Sequence, residues 1–385
     1  MEKVTEKIIN IGVNDYDIKL FENQYELEKG MAYNSYVILD DKVAVMDTVD
    51  LNAAEKWLAN LNEALGDRTV DYLIVQHMEP DHSGSILELV NKFPDIKLVG
   101  TVQTFNMMNQ FFDIELEDRK VVVKEGDTLE LGEHTLQFIM APMVHWPEVM
   151  VTYEQSEKVL FSADGFGKFG TRDADEDWTC EARRYYFNIC GKYGMQVQNL
   201  LKKAAGLDIN IICSLHGPVL TENLEYYIGK YDIWSKYEPE DKGVFIAYAS
   251  IYGNTAKAAM KLKEILEKKG VEKVVIADLV TEDLHECVED AFRYDRLVLA
   301  AASYDAGVFP PMEDFLQRLK MKNYQKRTVA IMENGSWGPT AARTMKGQME
   351  DMKEITLVQP VITIKSAMSE ENVMQMEEMA DVLLG

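Results

Sequence analysis

The chain has 385 residues, 47% of them hydrophobic, and its 65 acidic against 40 basic side chains give a formal net charge of −25. That length exceeds what one core usually fills, so two domains are expected, and the acidic balance disfavours nucleic acid and anionic membrane as partners. No apolar run reaches the roughly 18 residues of a membrane helix, and Met1-Glu2-Lys3-Val4-Thr5-Glu6 lacks the apolar core of a signal peptide, so a soluble cytoplasmic protein is expected. Cys180, Cys190, Cys213 and Cys287 form no C-x-x-C pair. Neither a disulfide framework nor a rubredoxin-type iron site is evident, and the four read as buried thiols.

Ser35 to Leu39 and Lys42 to Met46 flank Asp40-Asp41 and predict a β-hairpin. Asp47 follows it, ahead of an amphipathic helix carrying Ala54, Trp57, Leu58 and Leu61. It either caps that helix or orients a metal-binding histidine as a hydrogen-bond acceptor. The apolar run Tyr72-Leu73-Ile74-Val75 then leads into Gln76-His77-Met78-Glu79-Pro80-Asp81-His82-Ser83-Gly84. His77 and Glu79, two apart, project to the same side of an extended segment, and Asp81 and His82 follow where Pro80 favours a turn. One segment can therefore serve two metals. Ser83 sits at or near the N-cap of a helix carrying Ile86, Leu87, Leu89, Val90 and Phe93.

A strand Lys97 to Gly100, a helix over Thr104 to Phe112 and a hairpin-rich stretch to Ile139 come next. His145 lies in the loop Ala141 to Pro147, Asp164 follows the strand Lys158 to Ser162, and His216 follows the strand Ile209 to Cys213. Three strand ends thus carry His145, Asp164 and His216. Tyr193, in Gly191-Lys192-Tyr193-Gly194, is either a proton donor to such a site or a packed aromatic, and the second is expected. His134 and His285 match no motif position and read as surface residues.

Tyr237 to Gly243 is polar, holds Pro and Gly, and precedes a change of pattern, which divides the chain into 1–240 and 241–385. Beyond it strands alternate with helices: Val244 to Ala249, Val274 to Ala277, Leu297 to Ala301, Val329 to Met332 and Pro360 to Ile364, with helices from Thr255, Asp283, Pro311, Thr340 and Ser369. Five βα units make a doubly wound parallel sheet. After its first strand, Ser250-Ile251-Tyr252-Gly253-Asn254-Thr255 offers hydroxyls, an amide and helix-start N–H groups to a phosphate, with Gly253 permitting close approach. After the third and fourth strands come Ser303-Tyr304-Asp305-Ala306-Gly307 and Asn334-Gly335-Ser336-Trp337-Gly338. In a flavodoxin-like sheet, which this pattern resembles, these loops converge at the topological switch point where the flavin ring lies, with Tyr304 and Trp337 as stacking candidates.

His-x-Glu-x-Asp-His followed by isolated His, Asp and His at strand ends resembles the metallo-β-lactamase motif, with Glu79 where that fold usually has His. The loop Ser250 to Thr255 resembles the phosphate loop of flavodoxins. Together, over essentially the whole chain, they resemble the flavodiiron proteins, also called A-type flavoproteins. The resemblance implies a metallo-β-lactamase-like αββα domain followed by a flavodoxin-like doubly wound five-stranded parallel sheet. It implies two non-heme irons, one held by His77, Glu79 and His145, the other by Asp81, His82 and His216, with Asp164 bridging. Two imidazoles and a carboxylate per metal, with open positions, suit iron that activates a diatomic ligand, and Glu79 shifts preference from zinc toward iron.

The flavin expected is FMN, because no second nucleotide-phosphate loop is recognisable. The implied activity is reduction of dioxygen to water, of nitric oxide to nitrous oxide, or both. A head-to-tail homodimer, or dimer of dimers, would set the FMN of one subunit against the diiron site of the other. No rubredoxin module follows Gly385, so the expected donor is a separate rubredoxin or another small carrier, reduced deazaflavin included. The rivals are a dizinc hydrolase, which leaves the flavin domain idle, and an electron-transfer flavoprotein with a structural metal site.

Overall fold

The computed structural model describes residues 1–114 and 116–385. Two compact units emerge, one of residues 1–186 and 195–232, the other of residues 187–194 and 233–385.

The first unit holds two sheets. One runs in the order Glu2–Lys3, Ile8–Asn10, Tyr36–Leu39, Val43–Met46, Tyr72–Ile74, Lys97–Gly100, Lys120–Val122, and the other Thr128–Glu130, Thr135–Met140, Met150–Glu154, Val159–Phe161, Ile211–Cys213. The expected hairpin is present, with Val37 opposite Val45. Val43–Met46 and Met150–Glu154 are buried at every position. Strands covered on both faces carry no in–out alternation, which is why they read as continuous apolar runs. Tyr36, Ile38, Met46 and Val99 of the first sheet meet Phe138, Met150 and Phe161 of the second in one core.

This architecture sets the ligand segments at matching strand ends. Val43–Met46 and Tyr72–Ile74 are parallel neighbours, as are Val159–Phe161 and Ile211–Cys213. The residues just past Met46, Ile74, Phe161 and Cys213 therefore emerge side by side.

Two local expectations are corrected. Ser83 does not cap the helix: Pro80–Ser83 is a one-turn helix of its own, and Ser85 is the N-cap of Ile86–Lys92. Pro at the first helical position starts that turn early, because its missing N–H is not needed there. Asp47 does not cap the helix either; Asp50 does so for the preceding 3-10 turn, accepting from the N–H of Asn52.

In the second unit the parallel sheet runs Val274–Asp278, Asp241–Ala249, Tyr294–Tyr304, Arg327–Asn334, then Ile355–Leu357 and Ile362–Ile364. The last two both pair in parallel with Arg327–Asn334, so the fifth strand is one strand in two pieces. Helices Asn254–Lys268 and Glu370–Leu384 close one face through Ala258, Leu262, Met376 and Leu383. The short segment 187–194 belongs here because Phe187 stacks on Phe292 at 4.2 Å and the Tyr237 hydroxyl donates to Gly191 O at 2.8 Å.

Candidate metal and flavin sites

The motif folds as its spacing predicts. His77 follows the strand Tyr72–Ile74, Glu79 is in extended backbone, and the turn that starts at Pro80 carries Asp81 and His82. Asp47 holds the start of the segment by accepting the Gln76 N–H at 2.7 Å, the Gln76 side-chain amide at 2.8 Å and the His77 N–H at 3.3 Å. Burial pushes the Asp47 carboxyl up to about 6 against those hydrogen bonds. It orients the ligand segment through backbone, not through an imidazole. Thr48 secures the other end, its hydroxyl donating to His82 O at 2.7 Å.

Seven side chains converge. His77 Nε2 and His145 Nε2 lie 3.2 and 3.0 Å from Glu79 Oε2, and 3.3 and 3.2 Å from Asp164 Oδ2. His82 Nε2 and His216 Nε2 both lie 3.2 Å from Asp81 Oδ2, and 3.2 and 3.7 Å from the other oxygen of Asp164, Oδ1. The potential ligand atoms fall into the set His77, Glu79, His145, Asp164 and the set Asp81, His82, His216, each within 4.8 Å. The division of Asp164's two oxygens between the sets is the geometry of a bridging carboxylate.

The donor chemistry fits a pair of cations. His77 donates Nδ1–H to Glu148 Oε1 at 2.8 Å, and His216 donates Nδ1–H to Ala32 O at 2.8 Å. A carbonyl oxygen can only accept, so the Nε2 of neutral His216 is a bare lone pair, and it faces His82 Nε2 at 3.0 Å. Neither oxygen of Asp81 or of Asp164 has a hydrogen-bond partner, though both residues are buried. Such a convergence of acceptors is costly unless a cation or protons satisfy it. The titration behaviour agrees. Burial opposes charge on the imidazoles, yet the carboxylates raise His82 to about 10, His145 to about 9 and His77 well above the ordinary histidine value. Asp164 is held well below its ordinary value by His77 despite burial, and Asp81 and Glu79 are lowered by their histidines.

Sequence reading missed Glu148, which is buried and also accepts the Met78 N–H at 2.8 Å. The available signal was an acid three residues past a ligand histidine in a strand-end loop. It also missed the aromatic edges packed on His216, Phe21 at 5.4 Å and Tyr185 at 5.5 Å. Tyr193 falls in the second unit, half-buried in the turn Gly191–Tyr193 with Lys192 Nζ 5.8 Å from its ring centre.

The two remaining histidines are corrected from surface to interior. His134 is 3% exposed, donating its backbone N–H and its Nδ1–H to Asp40 Oδ2, each at 2.7 Å. His285 is 5% exposed, with Nδ1 3.2 Å from Asn188 Oδ1. Each sits beside polar sequence neighbours whose partners come from distant segments.

In the second unit the three loops meet as expected. A cavity of about 370 Å³ is lined by Ser250, Tyr252, Asn254, Thr255, Ser303, Tyr304, Asp305, Ala306, Asn334, Gly335, Ser336, Trp337 and Gly338, and also by Thr340 and Ser366. Gly253 and Gly307 shape the loops without lining it. Gly253, at φ +87°, is the N-cap of Asn254–Lys268, and its N–H donates to Ser250 Oγ at 3.0 Å. Ser303 Oγ accepts the Thr340 and Ala341 N–H groups at 2.8 and 3.1 Å, which ties the second loop to the start of Ala341–Glu350. Tyr252 and Trp337 are 94% and 95% exposed at the rim and Tyr304 47%, apolar faces that a flavin ring would cover. The cradle fits a flavin with one phosphate, held by hydroxyls, an amide and a helix start.

Comparison with known proteins agrees with the two domains. The family described as ODP family beta lactamase matches residues 31–217, and Flavodoxin matches residues 246–377. The chain is 28% identical to a putative diflavin flavoprotein A 2 of Synechocystis, over 90% of this chain and 61% of that protein. It is 26% identical to the anaerobic nitric oxide reductase flavorubredoxin of Klebsiella pneumoniae, over 90% of this chain and 74% of that one. The rubredoxin oxygen:oxidoreductase of Desulfovibrio gigas superposes with a TM-score of 0.92 at 24% identity, covering 99% of this chain and 97% of its own. The chain thus spans about three fifths of the length of the Synechocystis relative. The class is a metallo-β-lactamase-like domain followed by a flavodoxin domain. In domain composition and fold the chain is similar to the flavodiiron proteins, which its motifs also resemble. Among the described residues no helix is long and apolar enough to cross a membrane.

Proposed function

We propose that the protein is an oxidoreductase that reduces dioxygen to water, nitric oxide to nitrous oxide, or both, at a dinuclear non-heme iron site fed by FMN. The observation that carries this reading is Asp164, whose two oxygens divide between two sets that each hold two imidazoles and one further carboxylate. His77, Glu79 and His145 would hold one iron, Asp81, His82 and His216 the other, and Asp164 both. When bound, iron and flavin supply the electrons, four for each dioxygen reduced to two waters and one for each nitric oxide as two couple to nitrous oxide. The names of two relatives, a nitric oxide reductase flavorubredoxin and a rubredoxin oxygen:oxidoreductase, support these substrates and a rubredoxin-like donor.

The residues of this chain do the positioning. Glu148 and the Ala32 carbonyl fix His77 and His216 in the tautomer that presents Nε2. Phe21 and Tyr185 exclude water from one flank of His216. In the second unit, Ser250, Asn254 and Thr255 would take the flavin phosphate and Trp337, Tyr252 and Tyr304 the ring. A head-to-tail homodimer also belongs to this proposal. Dilution to monomer would then abolish turnover and leave bound iron in place, whereas an active monomer would rule the dimer out.

His82→Ala tests the reading. It should leave FMN reduction intact and abolish gas consumption. An intact protein with no such consumption to lose is an electron-transfer flavoprotein, and two zincs with esterase or lactamase activity would mark a hydrolase.

A further inference from the structure

A second cavity in the first unit, of about 400 Å³, lies against the back of the metal-ligand loops. The strands Met150–Glu154, Val159–Phe161 and Ile211–Cys213 and the helices Gly194–Ala204 and Leu224–Ser235 line it, through side chains such as Val151, Leu160, Leu201, Ala204 and Ile228. Its few polar groups are engaged in the wall itself. The Ser162 hydroxyl donates to Gly165 O at 2.6 Å, and the Tyr231 hydroxyl oxygen accepts the Phe166 N–H at 2.7 Å.

Among the described lining residues there is no Lys, Arg or His, and the one acid, Glu225, is exposed. An anionic amphiphile would find no cation for its head group and a like charge at the rim. Water would find almost nothing to bond. So apolar a lining favours small apolar species over polar ones.

Its wall toward the metal cluster is thin. Val144, which lines the cavity, precedes His145, and the lining residues Ser162 and Gly165 bracket Ala163 and Asp164. Consecutive residues, about 3.8 Å apart at Cα, thus face the cavity and the metal cluster in turn.

We propose that this cavity is a holding chamber for apolar diatomic gas, concentrating dioxygen or nitric oxide one backbone away from His145 and Asp164. The inference rests on the reading of the protein as a reductase of those gases. Xenon is the probe. Crystals of the intact protein pressurised with xenon should show xenon bounded by Leu201, Ala204 and Ile228, and Ala204→Phe should remove it. In protein loaded with iron and FMN, the same variant should raise KM for the gas several-fold, more than it lowers kcat, with metal and flavin contents equal to wild type. Leu201→Phe fills the same space if Ala204→Phe does not fold. Ordered water or no xenon in the wild-type cavity overturns the proposal, as does an unchanged KM in a variant that has lost its xenon. Failure of the underlying reading is seen separately, as wild-type enzyme that consumes neither gas, and it takes the gas assignment with it while the xenon result still stands on its own.

Discussion

His216 donates its Nδ1–H to the carbonyl oxygen of Ala32 at 2.8 Å, across 184 positions of sequence. That bond decides which ring nitrogen faces Asp81. Glu148 does the same for His77, and the side chain, unlike the carbonyl, can be changed. Glu148→Ala should weaken metal binding by roughly 10–100-fold, because the acceptor that fixes the tautomer and raises ligand basicity is lost. Chelator competition measures this; unaltered affinity would show that His77 needs no such partner.

Glu79 is the ligand expected to shift this site away from zinc. Glu79→His replaces a hard oxygen donor by a third imidazole in the first set. Protein reconstituted with iron and zinc together should then retain a larger share of zinc than wild type. An unchanged ratio by elemental analysis would remove Glu79 as the discriminating ligand.

Metal-free protein should lose stability as pH rises. His82 and His145 have folded values raised to about 10 and about 9, above an unfolded value near about 6.5. Their contribution is fully present below about 6.5 and is lost as pH climbs through the folded values. Thermal melts of metal-free protein should therefore fall between neutral pH and the folded values. Metal-loaded protein should not follow, because its imidazoles are already deprotonated, and loading at neutral pH should release protons.

The pair Asp40 and His134 works in the opposite direction. Burial opposes the Asp40 charge, but hydrogen bonds from His134 hold its carboxyl well below the ordinary range. Its stabilisation is present above the unfolded carboxylate value, near about 3.9, and is lost as pH falls through the folded value. Asp40→Ala should cost about 1–3 kcal/mol at neutral pH, as the buried N–H groups lose their acceptor. The difference from wild type should shrink in strong acid; a gap independent of pH would contradict the account.

At the flavin site, Trp337→Ala should weaken FMN binding by about 0.5–1.5 kcal/mol beyond the area lost. Gly253→Ala should cost about 1–2 kcal/mol because its φ of +87° is left-handed, although no atom lies within 4 Å of the added carbon. Flavin fluorescence titration reads the first and thermal unfolding the second.

The ligand set was legible in the sequence because each member sits where a short apolar strand ends, and strand ends in such sheets are where side chains converge. The flavin loops were legible for the same reason. What distant chain segments contribute was not: Glu148 and Ala32 reach the histidines only after the two sheets pack. His134 looked exposed because it lies in a hairpin turn, yet its acceptor Asp40 belongs to another turn 94 residues away. Ser83 and Ser85 both suit an N-cap, and only the one-turn helix at Pro80 decides between them.

The central claim is tested most directly by reducing protein loaded with iron and FMN without air, then following dioxygen and nitric oxide consumption in parallel. At least one gas should be turned over, and that turnover should disappear in Asp164→Asn with FMN still reducible. Reduced, fully loaded protein that consumes neither gas would contradict it.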